Sequence, residues 1–226
     1  MKPAVSIIRQ RTPEWYAARL GRFTASNFGT LMARPVDKSS QLSKSAIAYI
    51  RDVALQLYLN KSTFRKDTIA TRWGMTKENE ALKEFEQITG FTITESGFVL
   101  HPDFPDVGAT PDAIILDKGQ SGKLILAQVK CPYSQKNHLQ YIKKIGDVVS
   151  LKKYRSAIYW QIQGEIWVTG ASYSYFVSFD PRLWGSKRLH YVRIERDQQA
   201  MDELETVIKK AIALRNGFFE EYKRKK

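Results

Sequence analysis

The chain has 226 residues, 43% of them hydrophobic and 26% charged, a composition that is typical of a folded globular protein and excludes a disordered or fibrous chain. Its length suits one domain, and no linker rich in proline, glycine, serine or charge interrupts it, so we predict a single domain over residues 1–226. Lysine and arginine exceed aspartate and glutamate by 13, which favours a polyanionic partner, above all nucleic acid, over a charge that only keeps the surface soluble.

Two long helices are predicted in the first half of the chain. The stretch SKSAIAYIRDVALQLYL (43–59) places apolar residues at the three- and four-residue spacing of one helix face, and Ser43 fits its N-cap. The stretch TRWGMTKENEALKEFEQITG (71–90) repeats this spacing and stops at Gly90, a common residue just beyond the end of a helix. Glu78 is therefore expected on a helix.

The pattern then changes to short segments rich in β-branched and aromatic residues, which predict strands. These segments are FTITESGFVL (91–100), DAIILD (112–117), KLILAQVK (123–130), SYSYFVSF (172–179) and LHYVRIE (189–195). The turn signature DKGQSGK (117–123) joins the second to the third, so those two strands should pair antiparallel.

Two further helices are predicted, over RSAIYWQIQGEIWV (155–168) and over residues 201–222. This order of elements predicts an α/β fold in which helices flank a mixed central sheet. Four tryptophans are expected to pack in its core: Trp73, Trp160, Trp167 and Trp184.

The single cysteine, Cys131, excludes an internal disulfide and any site built from several thiolates, including an iron–sulfur cluster. No stretch approaches the ~18 apolar residues of a membrane span. The N-terminus lacks the apolar core of a signal peptide. We therefore expect a cytoplasmic protein.

Four residues form a candidate catalytic group. Side chains two apart in a strand share a face, so Gln128 and Lys130 project together while Val129 points into the opposite layer. Asp112 opens the adjacent predicted strand, and the earlier helix supplies Glu78. The order Pro-Asp, fifteen residues, Gln-x-Lys is the PD-(D/E)xK nuclease pattern with glutamine in the bracketed position.

Such a group suits metal-dependent hydrolysis of a phosphodiester. Mg²⁺ prefers hard oxygen ligands, typically carboxylates, water and phosphate oxygens. The metal stabilises the attacking and leaving oxygens of an in-line displacement, and the lysine holds or polarises the attacking water. A Pro-Asp pair alone is more often a turn signature, so the interpretation depends on the predicted strand–turn–strand context.

Six segments extend the likeness over residues 14–197. They are EWYAARLGRFTASNF, RWGMTKENEALKEFEQITG, GATPDAIIL, AQVKCPYS, YWQIQGEIWV and FDPRLWGSKRLHYVRIERD. In order and spacing these segments resemble the lambda exonuclease, or YqaJ-like viral recombinase, family. The resemblance implies a restriction-endonuclease-like fold and processive 5′ to 3′ digestion of double-stranded DNA with Mg²⁺, or with Mn²⁺ in its place. It also implies a ring-shaped homotrimer, a phage single-strand annealing protein as partner, and the cytoplasm of a bacterial host cell as location.

The resemblance also implies roles at the metal. Asp112 matches the family's metal-bridging aspartate, and Lys130 matches its catalytic lysine. Glu78 matches a glutamate on a helix that helps to bind metal or water, and Val129 would offer its backbone carbonyl to the metal. Gln128 falls where the family has a metal-binding glutamate.

A second set of residues matches the family's pocket for the terminal 5′-phosphate of DNA. Arg19, Thr24 and Ser26 lie in the segment ARLGRFTAS, Thr110 replaces a serine, and Gln161 matches a glutamine near the same pocket. Arginine suits this task because its planar guanidinium donates two hydrogen bonds to phosphate oxygens. The alternative role of each residue is that of a helix cap or a surface polar group, and for an isolated Ser26 this alternative is favoured. In the context of the six segments the phosphate-binding role is favoured, most strongly for Arg19 and least for Thr110.

Two functions remain open on the sequence. The first is an exonuclease that leaves a 3′ single strand for recombination by strand annealing, with an inactivating glutamine at position 128. The second is a catalytically silent protein that grips DNA ends. Whether Gln128 is native or was introduced to trap substrate is also open, although the change from glutamate to glutamine keeps the shape of the side chain and removes its charge. A generic RNA-binding protein explains the positive charge but not six ordered segments.

Overall fold

The structure is a computed structural model that describes residues 8–62, 68–116 and 123–224. Within these ranges the helices are α1 (Pro13–Arg19), α2 (Phe28–Leu31), α3 (Lys44–Leu59), α4 (Ile69–Thr89), α5 (Gln135–Lys144), α6 (Val148–Tyr154), α7 (Ser156–Thr169) and α8 (Gln198–Arg224). The strands are β1 (Phe23–Thr24), β2 (Thr92–Glu95), β3 (Val99–Leu100), β4 (Val107–Ala109), β5 (Ala113–Leu116), β6 (Ile125–Lys130), β7 (Tyr173–Phe179) and β8 (Leu189–Glu195).

The four helices predicted from the sequence are present as α3, α4, α7 and α8. Ser43 caps α3, since its side chain accepts a hydrogen bond from the backbone N–H of Ala46 at 3.1 Å. Helix α4 ends at Gly90, whose φ of 71° lies in the left-handed region that glycine adopts without strain. Helices α5 and α6 were not predicted, because with ten and seven residues they are too short for an apolar period to be evident.

The large sheet has five strands in the order β2-β5-β6-β7-β8. All neighbours are antiparallel except β6 and β7, which are parallel and are joined through α5, α6 and α7. Strands β5 and β6 pair with Ala113 opposite Ala127, which confirms the predicted antiparallel pair. Most of the predicted turn between them, residues 117–122, lies outside the described residues.

The prediction of one strand over residues 91–100 was wrong. The segment forms β2 in the large sheet and β3 in a separate three-stranded sheet of order β1-β4-β3. The chain leaves the large sheet at Ser96 and Gly97, and the backbone N–H of Phe98 then bonds to the carbonyl of Ile8 at 3.2 Å. The residues on both sides of this break are of types that favour strands, so the pattern alone did not reveal it.

Helices pack on both faces of the large sheet. One apolar layer joins α7 and α8 to residues such as Leu126 and Phe176, and the other joins α4 to residues such as Ala127 and Val129. These two layers around a mixed sheet confirm the predicted α/β class.

Helix α7 packs very closely against the short helix α2. A Cβ atom at Gly164 would lie 2.2 Å from the ring of Phe28, which is itself fully buried. Only the absence of a side chain at Gly164 therefore allows this approach.

Trp160 and Trp167 pack in the core as expected, whereas Trp73 is only partly buried, packs against Tyr133 and lies outside both apolar layers. The core prediction was also wrong for Trp184. Its side chain is 81% exposed, in the segment between β7 and β8. Aromatic character alone does not separate a core residue from a surface one. No helix in the described ranges has the length and apolar character to span a membrane.

Candidate active site

Asp112 lies where the β5–β6 pair begins. It directly precedes β5, and its Oδ2 accepts a hydrogen bond from the backbone N–H of Val129 at 2.7 Å. The same oxygen accepts a hydrogen bond from Nε2 of Gln128. The antiparallel pairing therefore brings Asp112 directly against the glutamine that stands in the glutamate position of the motif.

A hydrogen-bonded chain connects the sheet to helix α7. Nζ of Lys130 donates to Oε1 of Gln161 at 3.1 Å, and Nε2 of Gln161 donates to Oε1 of Gln128 at 2.8 Å. Nε2 of Gln161 also donates to Oε1 of Glu165 at 2.9 Å. Gln128 and Lys130 thus share the face toward α7, as the two-residue alternation of a strand predicts, whereas Val129 packs in the opposite layer.

The chemistry of the lysine fixes the orientation of both amides. Ammonium groups only donate hydrogen bonds, so Gln161 must turn its oxygen toward Lys130 and its NH₂ group toward Gln128. Gln128 then receives that bond on its oxygen, and its NH₂ group faces the carboxylate of Asp112. Every polar contact in this chain pairs a donor with an acceptor.

The carboxyl group of Asp112 is held in an unusual environment. Burial and, second, the negative charge of Glu78 raise the pKa of Asp112 to about 7, while Lys130 and the N–H of Val129 act in the opposite direction. Glu78 lies on α4 and forms an ion pair of 2.7 Å with the guanidinium of Arg11. A buried carboxylate that also feels a second negative charge favours the binding of a cation.

The donor set fits a hard divalent ion in part. Asp112 and Glu78 would contribute carboxylate oxygens and Val129 its backbone carbonyl oxygen, which are ligands that Mg²⁺ prefers. Gln128 turns its nitrogen toward Asp112 and engages its oxygen with Gln161. Among the described residues no group of three or more His, Cys, Asp or Glu side chains could hold a metal ion. A glutamate at position 128 would supply a third carboxylate.

We call Glu78, Asp112, Gln128, Lys130, Gln161 and Glu165 the catalytic cluster, after the role that the sequence predicts for the first four. A second group, the phosphate cluster, is named in the same way after a predicted role and consists of Trp15, Arg19, Thr24, Ser26 and Thr110. Arg19 lies at its centre, with Nη1 donating to Oγ1 of Thr110 at 3.2 Å and Nη2 donating to Oγ1 of Thr24 at 3.5 Å. Ser26 joins through a contact of 3.3 Å between its Oγ and that of Thr24. Its side chains offer a cation and three hydroxyls, which is the chemistry that binds phosphate.

Trp15 was not predicted to belong to this group. Its ring lies 4.1 Å from the guanidinium carbon of Arg19, and its Nε1 donates to Oγ1 of Thr110 at 3.1 Å. A guanidinium stacked on an indole is held in one plane while its edge still faces outward. Trp15 and Arg19 lie one turn apart on α1, and this spacing is the signal in the sequence that points to the contact.

The two clusters meet at one short segment. Thr110 of the phosphate cluster and Asp112 of the catalytic cluster flank Pro111, so their Cα atoms are at most about 7 Å apart. The carbonyl of Pro111 accepts a hydrogen bond from Nε2 of Gln10 at 3.0 Å, which holds the segment in place. The distance between the Cα atoms of Thr110 and Asp112 is comparable to the length of a single nucleotide.

Most of the candidate residues predicted from the sequence are thus found in one of two contact groups. Arg19, Thr24, Ser26 and Thr110 come together, and so do Asp112, Gln128 and Lys130. Gln161, which the resemblance places near the phosphate pocket, bonds to the catalytic cluster instead. Its contact with a phosphate stays a prediction. Glu165 was missed, although a carboxylate inside the apolar stretch GEIWV is itself a signal.

Comparison with known proteins decides the family. The family model of the YqaJ-like viral recombinase domain matches residues 14–172, well over half of the chain. The chain belongs to the YqaJ-like viral recombinase family. The matched part of this YqaJ-like domain contains every residue of both clusters. None of the curated proteins matches the sequence significantly.

Solved structures resemble this YqaJ-like protein over nearly all of its length. An alkaline exonuclease from Laribacter hongkongensis is 29% identical, with a TM-score of 0.79 over 95% of this chain and 97% of that one. The structure of that exonuclease in complex with dAMP gives a TM-score of 0.80 at the same identity and coverage. A phage-related exonuclease from Haemophilus somnus 129PT shares the fold, with 16% identity and a TM-score of 0.69 over 89% of this chain and 96% of that one.

Proposed function

We propose that the chain is a deoxyribonuclease that digests double-stranded DNA from a 5′ end with Mg²⁺ and leaves a 3′ single strand for recombination by strand annealing. Its activity is reduced by Gln128. The proposal rests on membership of the family, on the exonucleases that the fold resembles, and on the two clusters. The ring-shaped homotrimer and the annealing-protein partner come from the resemblance and are parts of the same proposal. The single-domain organisation and the cytoplasmic location, which the length, cysteine content and N-terminus of the chain predict, are also parts of it.

The observation that carries this proposal is the junction at Pro111. A phosphate-binding group and a candidate metal-binding group lie one residue to either side of it. An enzyme that removes nucleotides from a 5′-phosphorylated end must hold the terminal phosphate and act on the next one. The spacing of Thr110 and Asp112 suits that geometry.

Each of the following residues has a separate role in the proposed reaction. Asp112 and Glu78, with the carbonyl of Val129, would hold Mg²⁺, which when bound stabilises the charge on the attacking and leaving oxygens. Lys130 orients the attacking water and lies beside the charge that develops on the phosphate. Gln161 holds Lys130 in place through its oxygen.

A second candidate function is that of a catalytically silent protein that binds DNA ends. The hydrogen bond from Gln128 to Asp112 favours it, because the amide takes the place beside the carboxylate that a cation would otherwise take. Both functions require the phosphate cluster, so a measurement of end binding does not distinguish them, whereas a measurement of DNA digestion does.

The test of the main proposal is digestion of linear duplex DNA labelled at either the 5′ or the 3′ end, in Mg²⁺, by this chain and by its Gln128→Glu variant. We expect early release of the 5′ label as a mononucleotide, a long-lived 3′ strand, and no digestion of covalently closed circles. Early release of the 3′ label, or cutting of closed circles, would contradict the proposed polarity or its dependence on an end.

Arg19→Ala should weaken binding to 5′-phosphorylated ends by about 10- to 100-fold, because charge-assisted hydrogen bonds contribute ~1.5–3 kcal/mol each. Binding to 5′-hydroxyl ends should change little, since they offer no terminal phosphate to the guanidinium. Fluorescence anisotropy with both duplexes measures the two affinities. Arg193→Ala is the charge-matched control, because Arg193 lies on strand β8 and pairs with Glu195. Equal losses on both kinds of end would show that Arg19 has a structural or general backbone role.

Affinity for duplex ends should fall steeply as salt rises. The chain carries a net charge of +13, and each lysine or arginine that neutralises a phosphate releases a counterion from the DNA. For about six such contacts the affinity falls roughly 1,000-fold between 50 and 200 mM salt. Anisotropy titrations over that range give the slope. A flat dependence on salt would mean that the charge excess does not contact DNA.

A further inference from the structure

Glu165 is a buried carboxyl group with no role in the proposed reaction so far. It is 1% exposed, on the part of α7 that packs between the sheet and the other helices. Its Oε1 accepts the hydrogen bond from Gln161, and its Oε2 is buried with no hydrogen-bond partner among the described residues. Burying a carboxyl group in this way is costly, so packing alone does not account for it.

The contact with Gln161 connects this carboxyl group to the reacting groups. Gln161 and Glu165 lie one turn apart on α7, so their side chains share one face. The NH₂ group of Gln161 has two hydrogens, and the structure directs one to Gln128 and one to Glu165. Its oxygen is left for Lys130. With an acceptor on each side, the amide has a single orientation that satisfies all of its partners.

The charge state of Glu165 is consistent with this contact. Burial, and then the charge of Asp112, raise the pKa of Glu165 well above its usual range, while the bond from Gln161 and the charge of Lys130 act in the opposite direction. In either protonation state the carboxyl group has an oxygen that accepts the hydrogen bond from Gln161.

We propose that Glu165 is a positioning residue of the nuclease. It holds the amide of Gln161 in the orientation whose oxygen binds Lys130, and it thereby fixes the ammonium group beside the attacking water. Glu165 touches neither the substrate nor the metal in this role. The inference rests on the proposed function in so far as Lys130 is the catalytic lysine.

Three variants test the role. Glu165→Met removes the acceptor and keeps an unbranched side chain of similar length, whereas Glu165→Gln keeps an acceptor oxygen. Gln163→Met is the matched control, because Gln163 is equally buried on the same helix but bonds to the backbone of Glu195 and Asp197, away from the site. If Glu165→Met does not fold, Glu165→Ala takes its place with the same expectations.

Activity is measured in the Gln128→Glu background. Glu165→Met should lower kcat by about 10- to 100-fold, which is typical for loss of a residue that orients a catalytic group. The KM for 5′-phosphorylated duplex should stay within about twofold, and Glu165→Gln should restore most of kcat. Gln163→Met should change the melting temperature without lowering kcat. Equal losses of kcat in Glu165→Met and Gln163→Met, or no rescue by Glu165→Gln, would overturn the proposal.

A second measurement does not depend on nuclease activity. In the unaltered chain, the rate at which an N-hydroxysuccinimide ester acetylates Lys130 is followed by mass spectrometry. Loss of the oriented amide should change that rate severalfold in Glu165→Met but not in Glu165→Gln or Gln163→Met. If the rate is the same in all of them, Glu165 does not position Lys130, whether or not DNA is digested. If the rate changes as expected but the Gln128→Glu background digests no DNA, the positioning holds and the proposed function fails.

Discussion

Replacing Gln128 with glutamate should raise the rate of duplex digestion by about 100-fold or more, which corresponds to ~3 kcal/mol of transition-state stabilisation. The amide brings no negative charge to the metal, and its nitrogen faces Asp112. A glutamate at position 128 would place its carboxylate beside that of Asp112, with an oxygen atom at the present position of the Gln128 NH₂ group. Mg²⁺ should then bind more tightly, and the charge at phosphorus should be better stabilised.

Digestion of 5′-phosphorylated duplex over a Mg²⁺ titration measures both effects. Gln198→Glu is the matched control, since the NH₂ group of Gln198 also donates to a carboxylate, that of Asp202, on an exposed part of α8. It should leave the rate unchanged. In the absence of metal, Gln128→Glu should melt at a lower temperature than the unaltered chain, because two carboxylates then face each other, and Mg²⁺ should reverse the loss. If the unaltered chain already digests DNA as fast as Gln128→Glu, the glutamine is a competent ligand.

Lys130→Ala in the Gln128→Glu background should lower the digestion rate again by about 100- to 10,000-fold, the range typical of a group that assists proton transfer in the reaction. Nζ of Lys130 donates to the amide oxygen of Gln161, and alanine leaves that oxygen without this donor. Binding to duplex ends should change little, because the phosphate cluster is intact.

Single-turnover digestion and end-binding anisotropy separate these two effects. Lys209→Ala is the control for loss of one positive charge, since Lys209 lies on α8 in an exposed ion pair with Glu205. A Lys130→Ala protein that loses end binding and digestion in parallel would assign the lysine to DNA binding rather than to the reaction.

The sequence predicted the parts of the fold in which local pattern and tertiary environment agree. Strand β6 lies with one face toward α7 and the other toward α4, so the alternation of Gln128, Val129 and Lys130 was readable before the structure. The long helices α3 and α8 bury one face each and show the matching apolar spacing.

The remaining parts depend on contacts that leave little trace in local sequence. Strands β1, β3 and β4 have two or three residues each, which is too short for a period to be seen. Helix α7 was predicted from its apolar residues, yet its contribution to the site comes from the polar pair Gln161 and Glu165. The partners of Gln161 on β6 lie more than thirty residues earlier in the chain, and Glu165 bonds to Gln161 itself.

The parallel pairing of β6 with β7 has a consequence for the order in which the site forms during folding. Ile125 pairs with Tyr173, the largest sequence separation of any neighbouring strands in the large sheet, whereas β5 and β6 are close in the chain. Closing a long loop costs more conformational entropy and slows folding. We therefore expect Asp112, Gln128 and Lys130 to come together early, with the local strand pair. Gln161 and Glu165 can join them only when the chain through α5, α6 and α7 has returned to the sheet, so the support for Lys130 is acquired last.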